Sequence, residues 1–458
     1  MPTLDCGIDI GSTNLKVVLV APDGTVVDTR TVPSPRGDDG VGPVTDATAL
    51  VALLEELIIA GWREAGGGPP LRSIAASGVG EDGVGVDAGM VPTGFAIPWF
   101  DVRARDEAAR LAGRFGALIA RSGIAIGPDR TAAKWLWLAT HRPDELMEAS
   151  SWVALTDYPA AWWSGRPFMS ASLAPRTACF DVFERDWIGP LLVAARAPPL
   201  PPIVPAGYIL GGVTRGALLA SGAASGETLV VAGGHDHPMA AAAVRRYDPG
   251  AIVDSLGTAN LIYGETDGVR PGMVDPAIAL SLPPAGGEAI ACLGVLEMDV
   301  DLAAAGAREA DIRGFLARDR LAGAPPANPG ELAAMLPGTR GIRRALERES
   351  FAARRLIERM TAVGVPPGPI YATGGRARSR GFIEMRASVF GRAIMVVEEM
   401  ELSALGAAQY AAGAATGEPA CLLRETDIKS VGPLPEWMQT YDALRETQAA
   451  GSGGTPTE

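Results

Sequence analysis

The chain has 458 residues, 47% hydrophobic and 20% charged, and this length exceeds what one hydrophobic core supports, so we expect two large domains. Its formal net charge of −13 argues against nucleic acid as a partner, because binding phosphates needs a basic surface. Four dispersed cysteines argue against a disulfide framework or a zinc site, and no apolar run is long enough to span a bilayer, so we expect a cytoplasmic protein without a membrane partner.

The first thirty residues predict three strands. Apolar residues alternate from Leu4 to Ile10, a turn follows at 11–14, and two more alternating runs continue to Val32. This pattern is typical of an antiparallel meander. Asp9 stands at the end of the first strand, beside a Gly-Ser-Thr-Asn turn whose amides and hydroxyls suit phosphate oxygens, while a carboxylate there suits Mg²⁺. An ordinary hairpin, in which Asp9 bonds only to the turn, is the alternative.

The stretch VAGGHDHPMAAAAV at 231–244 holds two of the chain's three histidines, one on each side of Asp236. Pro238 favours the first position of a helix, which puts His237 near the N-cap and Asp236 just before it. The positive end of that helix would favour an ionised Asp236. We expect His235 to point to the other side of the extended segment from His237. Neighbours in an extended segment alternate sides, so a metal site from three consecutive residues is disfavoured. A carboxylate that only caps the helix is the alternative.

An internal similarity links the two halves of the chain. The segments DIGSTNLKVVLV at 9–20 and DSLGTANLIYGET at 254–266 both run from an acidic residue through Gly, a hydroxyl residue, Asn and Leu into a β-rich stretch. Two phosphate-type turns at matching places suggest two similar domains that contact one nucleotide. Further on, the pattern from about Arg343 predicts a long amphipathic helix that stops at Gly364, followed by a strand and the glycine turn ATGGRARSRG at 372–381.

Taken in order, these motifs resemble those of the FGGY carbohydrate kinases, within the sugar kinase/actin/Hsp70 superfamily, over nearly the whole chain. The motifs that carry the resemblance are the two phosphate turns, the W-x-D-x-R pattern at 99–103, the K-x-x-W-L pattern at 134–138, the segment around Asp236 and the turn at 372–381. The resemblance implies an α/β fold of two RNase H-like (actin-like ATPase) domains with a central cleft. We place the domains at 1–245 and 246–445, followed by a flexible tail at 446–458.

The resemblance also implies an enzyme, a carbohydrate kinase that uses ATP and Mg²⁺ to phosphorylate a hydroxyl of a small sugar, polyol or sugar acid. Asp236 would be the general base, and Asp9 together with Asp236 would hold the metal. The residues implied to bind the substrate are Glu81, Asp82, Trp99, Asp101, His235 and His237. The residues implied to bind the nucleotide are Ser12, Thr13, Asn14, Gly257, Thr258, Gly374, Gly375 and Ser379. A homodimer is compatible with this class of protein.

The chemistry of these side chains fits a carbohydrate. The Glu81 carboxylate can accept hydrogen bonds from two vicinal hydroxyls, and the His237 imidazole can both donate and accept. Trp99 can stack on the apolar face of a sugar, or it can be a core tryptophan. Asp101 is expected to face the substrate and also to pair with Arg103, which would fix the loop. Three residues keep a structural alternative, as solvated loop residues or an interior histidine: Glu81, Asp82 and His235.

Two motifs depart from the family pattern. The second phosphate motif, usually G-T-S, reads Gly257-Thr258-Ala259 and lacks one hydroxyl. In the adenosine motif, Glu384 and Ser388 stand where Gln and Asp are common. An acid near a nucleotide is unfavourable unless it faces away, so these positions bear on the phosphate donor.

Two other functions of the same fold stay open at this point. An ATPase of the actin/Hsp70 type would hydrolyse ATP without an acceptor, and it has no use for a sugar-binding set of side chains. A catalytically silent sugar-binding regulator would bind a sugar without turnover.

Overall fold

The structure, a computed structural model, describes residues 3–257, 260–273, 275–296, 298–318, 321, 323–399 and 401–451. Its strands are β1 (Asp5–Ile10), β2 (Asn14–Val20), β3 (Val26–Pro33), β4 (Gly37–Asp38), β5 (Pro43–Val44), β6 (Ser73–Gly78), β7 (Gly83–Val86), β8 (Ser151–Ala154), β9 (Met169–Ser170), β10 (Phe180–Asp181), β11 (Asp186–Trp187), β12 (Ile203–Val204), β13 (Ile209–Gly212), β14 (Leu229–His235), β15 (Ile252–Leu256), β16 (Asn260–Thr266), β17 (Ala279–Ser281), β18 (Ile290–Leu296), β19 (Ile370–Thr373), β20 (Ile394–Val397) and β21 (Ile428–Val431).

The helices complete an α/β fold, as predicted. They are α1 (Ala47–Glu64), α2 (Arg105–Phe115), α3 (Ile119–Ser122), α4 (Thr131–His141), α5 (Pro143–Met147), α6 (Tyr158–Ser164), α7 (Gly189–Ala195), α8 (Ala217–Ser221), α9 (Asp236–Tyr247), α10 (Met298–Ala304), α11 (Glu309–Leu316), α12 (Pro329–Ala333), α13 (Gly338–Ala362), α14 (Arg380–Phe390), α15 (Leu402–Thr416) and α16 (Pro435–Gly451). Among the described residues, no helix has both the length and the apolar character needed to cross a bilayer.

The chain forms two compact units, each assembled from three segments. The first unit comprises Met1–Pro249, Glu265–Cys292 and Glu401–Arg424, and the second comprises Gly250–Gly264, Leu293–Met400 and Glu425–Glu458. The domains expected at 1–245 and 246–445 are continuous, whereas the first unit ends its first segment at Pro249 and includes two later segments. One of these carries α15, which packs on β1, β6 and β14. Residues 446–451 of the expected flexible tail continue α16 as helix, and 452–458 lie outside the described residues.

The first unit is built on a six-stranded sheet with the order β13-β14-β6-β1-β2-β3. Strands β1, β2 and β3 form the predicted antiparallel meander, and β6 and β14 run parallel to β1. Helix α1 buries Leu50, Leu54 and Ile58 in the core of this unit. The alanine-rich α15 approaches β1 so closely that a Cβ on Gly7 would collide with the Ala404 carbonyl. Small residues on both elements therefore permit this close packing.

The second unit contains a sheet in which β18, β16, β15, β19, β20 and β21 lie in this order. Strands β15 and β16 are antiparallel, whereas β15, β19 and β20 are parallel. The order and directions around β15 repeat those around β1, which agrees with the internal similarity of the two phosphate turns. The predicted long helix is α13, and Gly364 beyond its end has a φ of +111°, a left-handed conformation that favours glycine.

Candidate functional site

The segment that carries Asp236 lies where strand β14 passes into helix α9. His235 is the N-cap, Asp236 is the first helical residue and Pro238 the third. The prediction that Pro238 begins the helix was therefore wrong by two residues, because the whole first turn leaves its N–H groups without helical partners and tolerates proline. The sheet register aligns Ile10, Gly78 and His235 in one row, so the carboxyl ends of three parallel strands meet at this edge.

Both imidazoles lie beside the same carboxylate oxygen. The Nε2 atom of His235 is 3.3 Å and that of His237 is 3.9 Å from Oδ1 of Asp236, and the His237 backbone N–H donates to Oδ1 at 2.6 Å. The expectation that His235 points away from His237 was wrong, because residues two apart in an extended segment lie on the same side, and the two ring centroids are 5.9 Å apart. Burial lowers the pKa of His235 to about 4, so this imidazole is neutral at pH 7.

The second carboxylate oxygen of Asp236 is the accessible one. Oδ2 accepts no hydrogen bond from the described residues, and the side chain is 23% exposed. Asp236 also occupies the first turn of α9, where the helix dipole favours a negative charge. One oxygen is thus fixed by its own helix and the other is open to a ligand.

Asp9 fits a cation at the same edge of the sheet. It faces Lys16 across the β1–β2 ladder, and Lys16 Nζ binds Glu401 Oε2 at 2.7 Å. The Oδ1 atom of Asp9 is buried without a hydrogen-bond partner among the described residues. Burial and the charge of Asp236 raise the pKa of Asp9 to about 7, with Lys16 opposing. An unpaired buried carboxylate oxygen beside a second carboxylate is the donor chemistry that Mg²⁺ requires.

Glu81 lies buried between two guanidinium groups. Arg130 Nη1 and Arg176 Nη2 both donate to its Oε1 atom. Burial opposes ionisation of Glu81, but the two arginines together hold the pKa of its carboxyl below its usual range. The solvated-loop alternative is wrong for Glu81, whose side chain is only 8% exposed.

Lys134 of helix α4 holds the loops around the acidic pair. Its Nζ donates to the carbonyl oxygens of Glu81 at 3.1 Å and Ile97 at 2.8 Å, and lies 3.6 Å from Asp82 Oδ1. Asp82 is buried rather than solvated, and burial raises its pKa to about 6 although Lys134 opposes this. Lys134 of the K-x-x-W-L pattern therefore fixes the two loops that contain Glu81 and Ile97.

Trp99 and Asp101 have different environments although they are two residues apart. Trp99 is 43% exposed and its ring meets Phe100 in an edge contact, so the core-tryptophan alternative is wrong. The predicted Asp101–Arg103 ion pair is confirmed at 2.8 Å, and Arg103 also binds Asp39 at 2.7 Å. Asp101 is buried in this pair, which anchors the loop beneath Trp99.

The first phosphate turn follows β1, as predicted. The Gly11 N–H donates to the Asn14 carbonyl at 3.0 Å and closes the turn, while the Ser12 and Thr13 carbonyls accept from neighbouring residues. Thr13 is exposed, and its neighbours in the turn are partly exposed. The turn therefore presents its polar groups to solvent beside Asp9.

The remaining residues predicted to bind the nucleotide belong to the second unit. Gly257, Gly375 and Ser379 line one cavity of about 650 Å³, beside α11. Gly374 has a φ of +89°, and a Cβ there would lie 2.8 Å from the Leu256 carbonyl, so this turn requires glycine. Thr258 lies outside the described residues. The Ser379 hydroxyl is the N-cap of α14 and donates to the Leu316 carbonyl at 2.6 Å.

The departures in the adenosine motif have structural partners. Glu384 pairs with Arg380 at 2.9 Å, and it does not belong to the lining of the 650 Å³ cavity. The Ser388 hydroxyl accepts from the Leu434 backbone N–H at 2.9 Å. The acid is therefore neutralised, and it poses no electrostatic obstacle to a nucleotide in that cavity.

A buried guanidinium ties the second phosphate turn to its helices. Arg386 of α14 donates to Asp254 at 2.7 and 3.0 Å, to Asn260 at 2.9 Å, to Glu349 at 2.6 Å and to Ser350 at 3.3 Å. Asp254 and Asn260 stand at the two ends of the turn, and all five N–H donors of the guanidinium are used.

Comparison with known proteins assigns the family. Residues 4–243 match the N-terminal domain, and residues 303–415 the C-terminal domain, of the FGGY family of carbohydrate kinases. The chain belongs to this family. This FGGY chain is therefore an ATP-dependent kinase of a sugar or polyol, as the motif order predicted. Nothing in these findings supports an ATPase without acceptor or a silent regulator.

Xylulose kinases are similar to this FGGY kinase over most of its length. A xylulose kinase of Streptomyces coelicolor is 28% identical over 426 residues, 82% of each chain. A xylulose kinase of Escherichia coli is 26% identical over 483 residues, covering 96% of this chain and 97% of the relative. The solved structure of a xylulose kinase from Rhodospirillum rubrum superimposes with a TM-score of 0.79 at 21% identity, over 98% of both chains, which shows the fold.

Sequence reasoning missed several polar residues of this site. No motif marks Arg130, Arg176 or Glu401. Arg130 and Arg176 contact Glu81, which lies 49 and 95 positions earlier in the chain, and Glu401 contacts Lys16, hundreds of positions earlier. Lys134 stood inside a recognised pattern, which was the available signal. Its role depended on carbonyl groups that only the folded loops bring together.

Proposed function

We propose that Asp236 is the general base of the kinase and that its Oδ2 atom takes the proton of the acceptor hydroxyl. The observation that carries this is the asymmetry of the carboxylate, with Oδ1 held by the His237 N–H and Oδ2 accessible. Phosphoryl transfer requires little covalent work from the protein, so alignment of the hydroxyl and late removal of its proton are the main tasks.

Asp9, with Asp236 beside it, is the proposed holder of Mg²⁺. The unpaired buried Oδ1 of Asp9 supports this assignment, because it would otherwise lie desolvated without a hydrogen-bond partner. When bound, the ion would neutralise charge that develops on the transferred phosphoryl group. Lys16 and Glu401 would keep the Asp9 side chain in place.

The proposed acceptor residues surround Asp236 in the first unit. His237, 43% exposed on its side chain, would donate to or accept from an acceptor hydroxyl, and neutral His235 would orient the Asp236 carboxylate. Trp99 would stack on the acceptor from an exposed loop, while Glu81 and Asp82 would line the site from below. Asp101 would act through its pair with Arg103.

The proposed nucleotide residues belong to both units. The turn at Ser12, Thr13 and Asn14 would contact phosphates, as would Gly257 and Thr258. Gly374, Gly375 and Ser379 would border the adenosine in the 650 Å³ cavity. The acceptor is a small sugar, polyol or sugar acid; two relatives of the chain are xylulose kinases. A homodimer and the cytoplasmic location stay predictions of the sequence.

A coupled assay of ADP release with ketoses, alditols and sugar acids tests this function. We expect ADP release to depend on an acceptor, and Asp236→Asn to lower turnover about 10²–10⁴-fold while ATP binding is retained. His141→Gln, outside the proposed site, is the matched control and should keep wild-type turnover. Equal ADP release with and without every acceptor would instead support the ATPase alternative.

A further inference from the structure

This inference rests on the proposed function and concerns the class of acceptor. Arg130 and Arg176 converge on a single oxygen, Oε1 of Glu81. Their side chains are 15% and 13% exposed, against 8% for Glu81, so both arginines retain some accessible surface while Glu81 is almost covered.

The arginine pair lies one side chain away from the proposed base. A Cβ on Gly80 would be 3.0 Å from Arg176 Cγ and 2.9 Å from the His235 ring, so Arg176 and His235 occupy the space that a side chain at position 80 would fill. The His235 ring in turn reaches Asp236 at 3.3 Å. Arg176 is therefore a neighbour of the residue that contacts the proposed base, within reach of an acceptor of a few carbon atoms.

Hydrogen-bond donors exceed acceptors around the arginine pair. Asp129, whose side chain is 31% exposed, pairs with Arg130 Nη2 at 3.1 Å. Among the described residues, the Arg176 guanidinium donates only to Glu81 Oε1, the oxygen that it shares with Arg130. The Nε atoms of Arg130 and Arg176 are buried without a partner in the same part of the chain. Lys134 is occupied by two backbone carbonyls and lies near Asp82.

A surface that presents mainly hydrogen-bond donors favours a ligand group whose oxygens only accept hydrogen bonds. A hydroxyl both donates and accepts, so it would leave its proton unpaired against guanidinium groups, whereas a carboxylate accepts from a guanidinium in a bidentate fork. The Asp236 carboxylate would repel a second negative charge placed beside it. The acceptor's charge must therefore lie at the arginine end and its reacting hydroxyl at the Asp236 end.

We propose that the acceptor is a sugar acid, whose carboxylate binds Arg176 and Arg130 while a hydroxyl at the other end of its chain faces Asp236. Glu81 then positions the two arginines instead of binding vicinal hydroxyls. The arginine pair thus determines specificity, and Asp236 performs the proton transfer for any acceptor that fits.

Acceptors matched in length and stereochemistry test the proposal on the wild-type enzyme. We would measure kcat/KM with ATP for an aldonate, its aldonamide, the corresponding alditol and the corresponding ketose, for four- to six-carbon chains. For at least one chain length, we expect kcat/KM for the aldonate to exceed kcat/KM for each of the three neutral compounds by about 10- to 100-fold. The aldonamide lacks the charge of the aldonate, so this comparison is made on the wild-type enzyme and does not depend on whether a variant folds.

The Arg176→Gln variant tests whether Arg176 causes the preference for the aldonate. We expect kcat/KM for the aldonate to fall about 10- to 100-fold, mainly through KM, while the neutral acceptors change less than about threefold. Arg110→Gln, on the surface of α2 with Glu107 as its partner, is the matched control and should leave all acceptors unchanged.

Two results have different meanings. A neutral ketose or alditol preferred by the wild-type enzyme, or an equal loss for all acceptors in Arg176→Gln, overturns the sugar-acid proposal and leaves the kinase assignment intact. Absence of phosphorylation for every acceptor, with ATP turnover unaffected by Asp236→Asn, overturns the proposed function itself.

Discussion

Replacing Arg386 by Met tests how the second phosphate turn is held. The guanidinium is fully buried, and it is the cation that Asp254 and Glu349 share. Asp254 is completely buried and Glu349 nearly so. Removing one partner of a buried ion pair leaves an uncompensated charge and typically costs about 3–5 kcal/mol, whereas an exposed pair contributes about 0–1 kcal/mol.

The Arg386→Met variant should therefore lose about 3–5 kcal/mol of local stability in the second unit. Hydrogen exchange of the β15 and β19 amides measures this loss directly, because β15 leads into the phosphate turn and β19 pairs with β15. Arg380→Met on the same helix is the matched control, since Arg380 is exposed and, among the described residues, its ion-pair partner is Glu384, and it should change stability by less than about 1 kcal/mol.

A second substitution separates the buried charge from lost packing. Burial raises the pKa of Glu349 to about 7 although Arg386 opposes this, so the folded protein gains stability as Glu349 takes up a proton. Adding Glu349→Gln to Arg386→Met should therefore recover part of the loss. A loss below about 1 kcal/mol in Arg386→Met, or a further loss on adding Glu349→Gln, would refute the view that this guanidinium balances two carboxylates.

Three further predictions concern the first unit. Burial raises the pKa of Asp157 to about 7, against hydrogen bonds from Ser170, so its stabilising effect is complete below about pH 4 and is lost as pH rises to 7. The unfolding free energy of wild type relative to Asp157→Asn should accordingly fall by at most ~4 kcal/mol over this range in urea titrations, and a pH-independent difference contradicts it. Trp99→Ala should raise the acceptor KM about fivefold in steady-state assays without changing the Tm, since the ring is exposed, and an unchanged KM argues against stacking. Asp9→Asn should raise the Mg²⁺ concentration needed for half-maximal turnover about 10- to 100-fold, whereas an unchanged Mg²⁺ titration removes Asp9 from the metal site.

Local patterns predicted much of the fold because they depend on neighbouring residues. The alternation from Leu4 to Val32 gives the meander, and the helix from Gly338 ends where Gly364 was expected to stop it. The return of α15 to the first unit could not be predicted in this way. Its alanines pack on β1 beside Gly7, nearly four hundred residues earlier, and nothing local marks that contact.

The candidate site was predictable where motifs carry it and unpredictable where distant side chains complete it. Asp9 and Asp236 stand at strand ends, and parallel strands bring such ends together. The orientation of His235 was missed because residues two apart in an extended segment lie on the same side, so both imidazoles lie beside Asp236. Glu81 was expected to bind hydroxyls directly, but Arg130 and Arg176 reach its carboxylate from distant segments.

The position of the acceptor hydroxyl relative to Asp236 is the most direct test of the central claim. A crystal structure with a phosphorylatable acceptor and a non-hydrolysable ATP analogue would measure it. The account predicts one acceptor hydroxyl at about 2.6–3.2 Å from Oδ2 of Asp236. An acceptor whose hydroxyls all lie beyond reach of that carboxylate, with another residue beside the reacting oxygen, would contradict it.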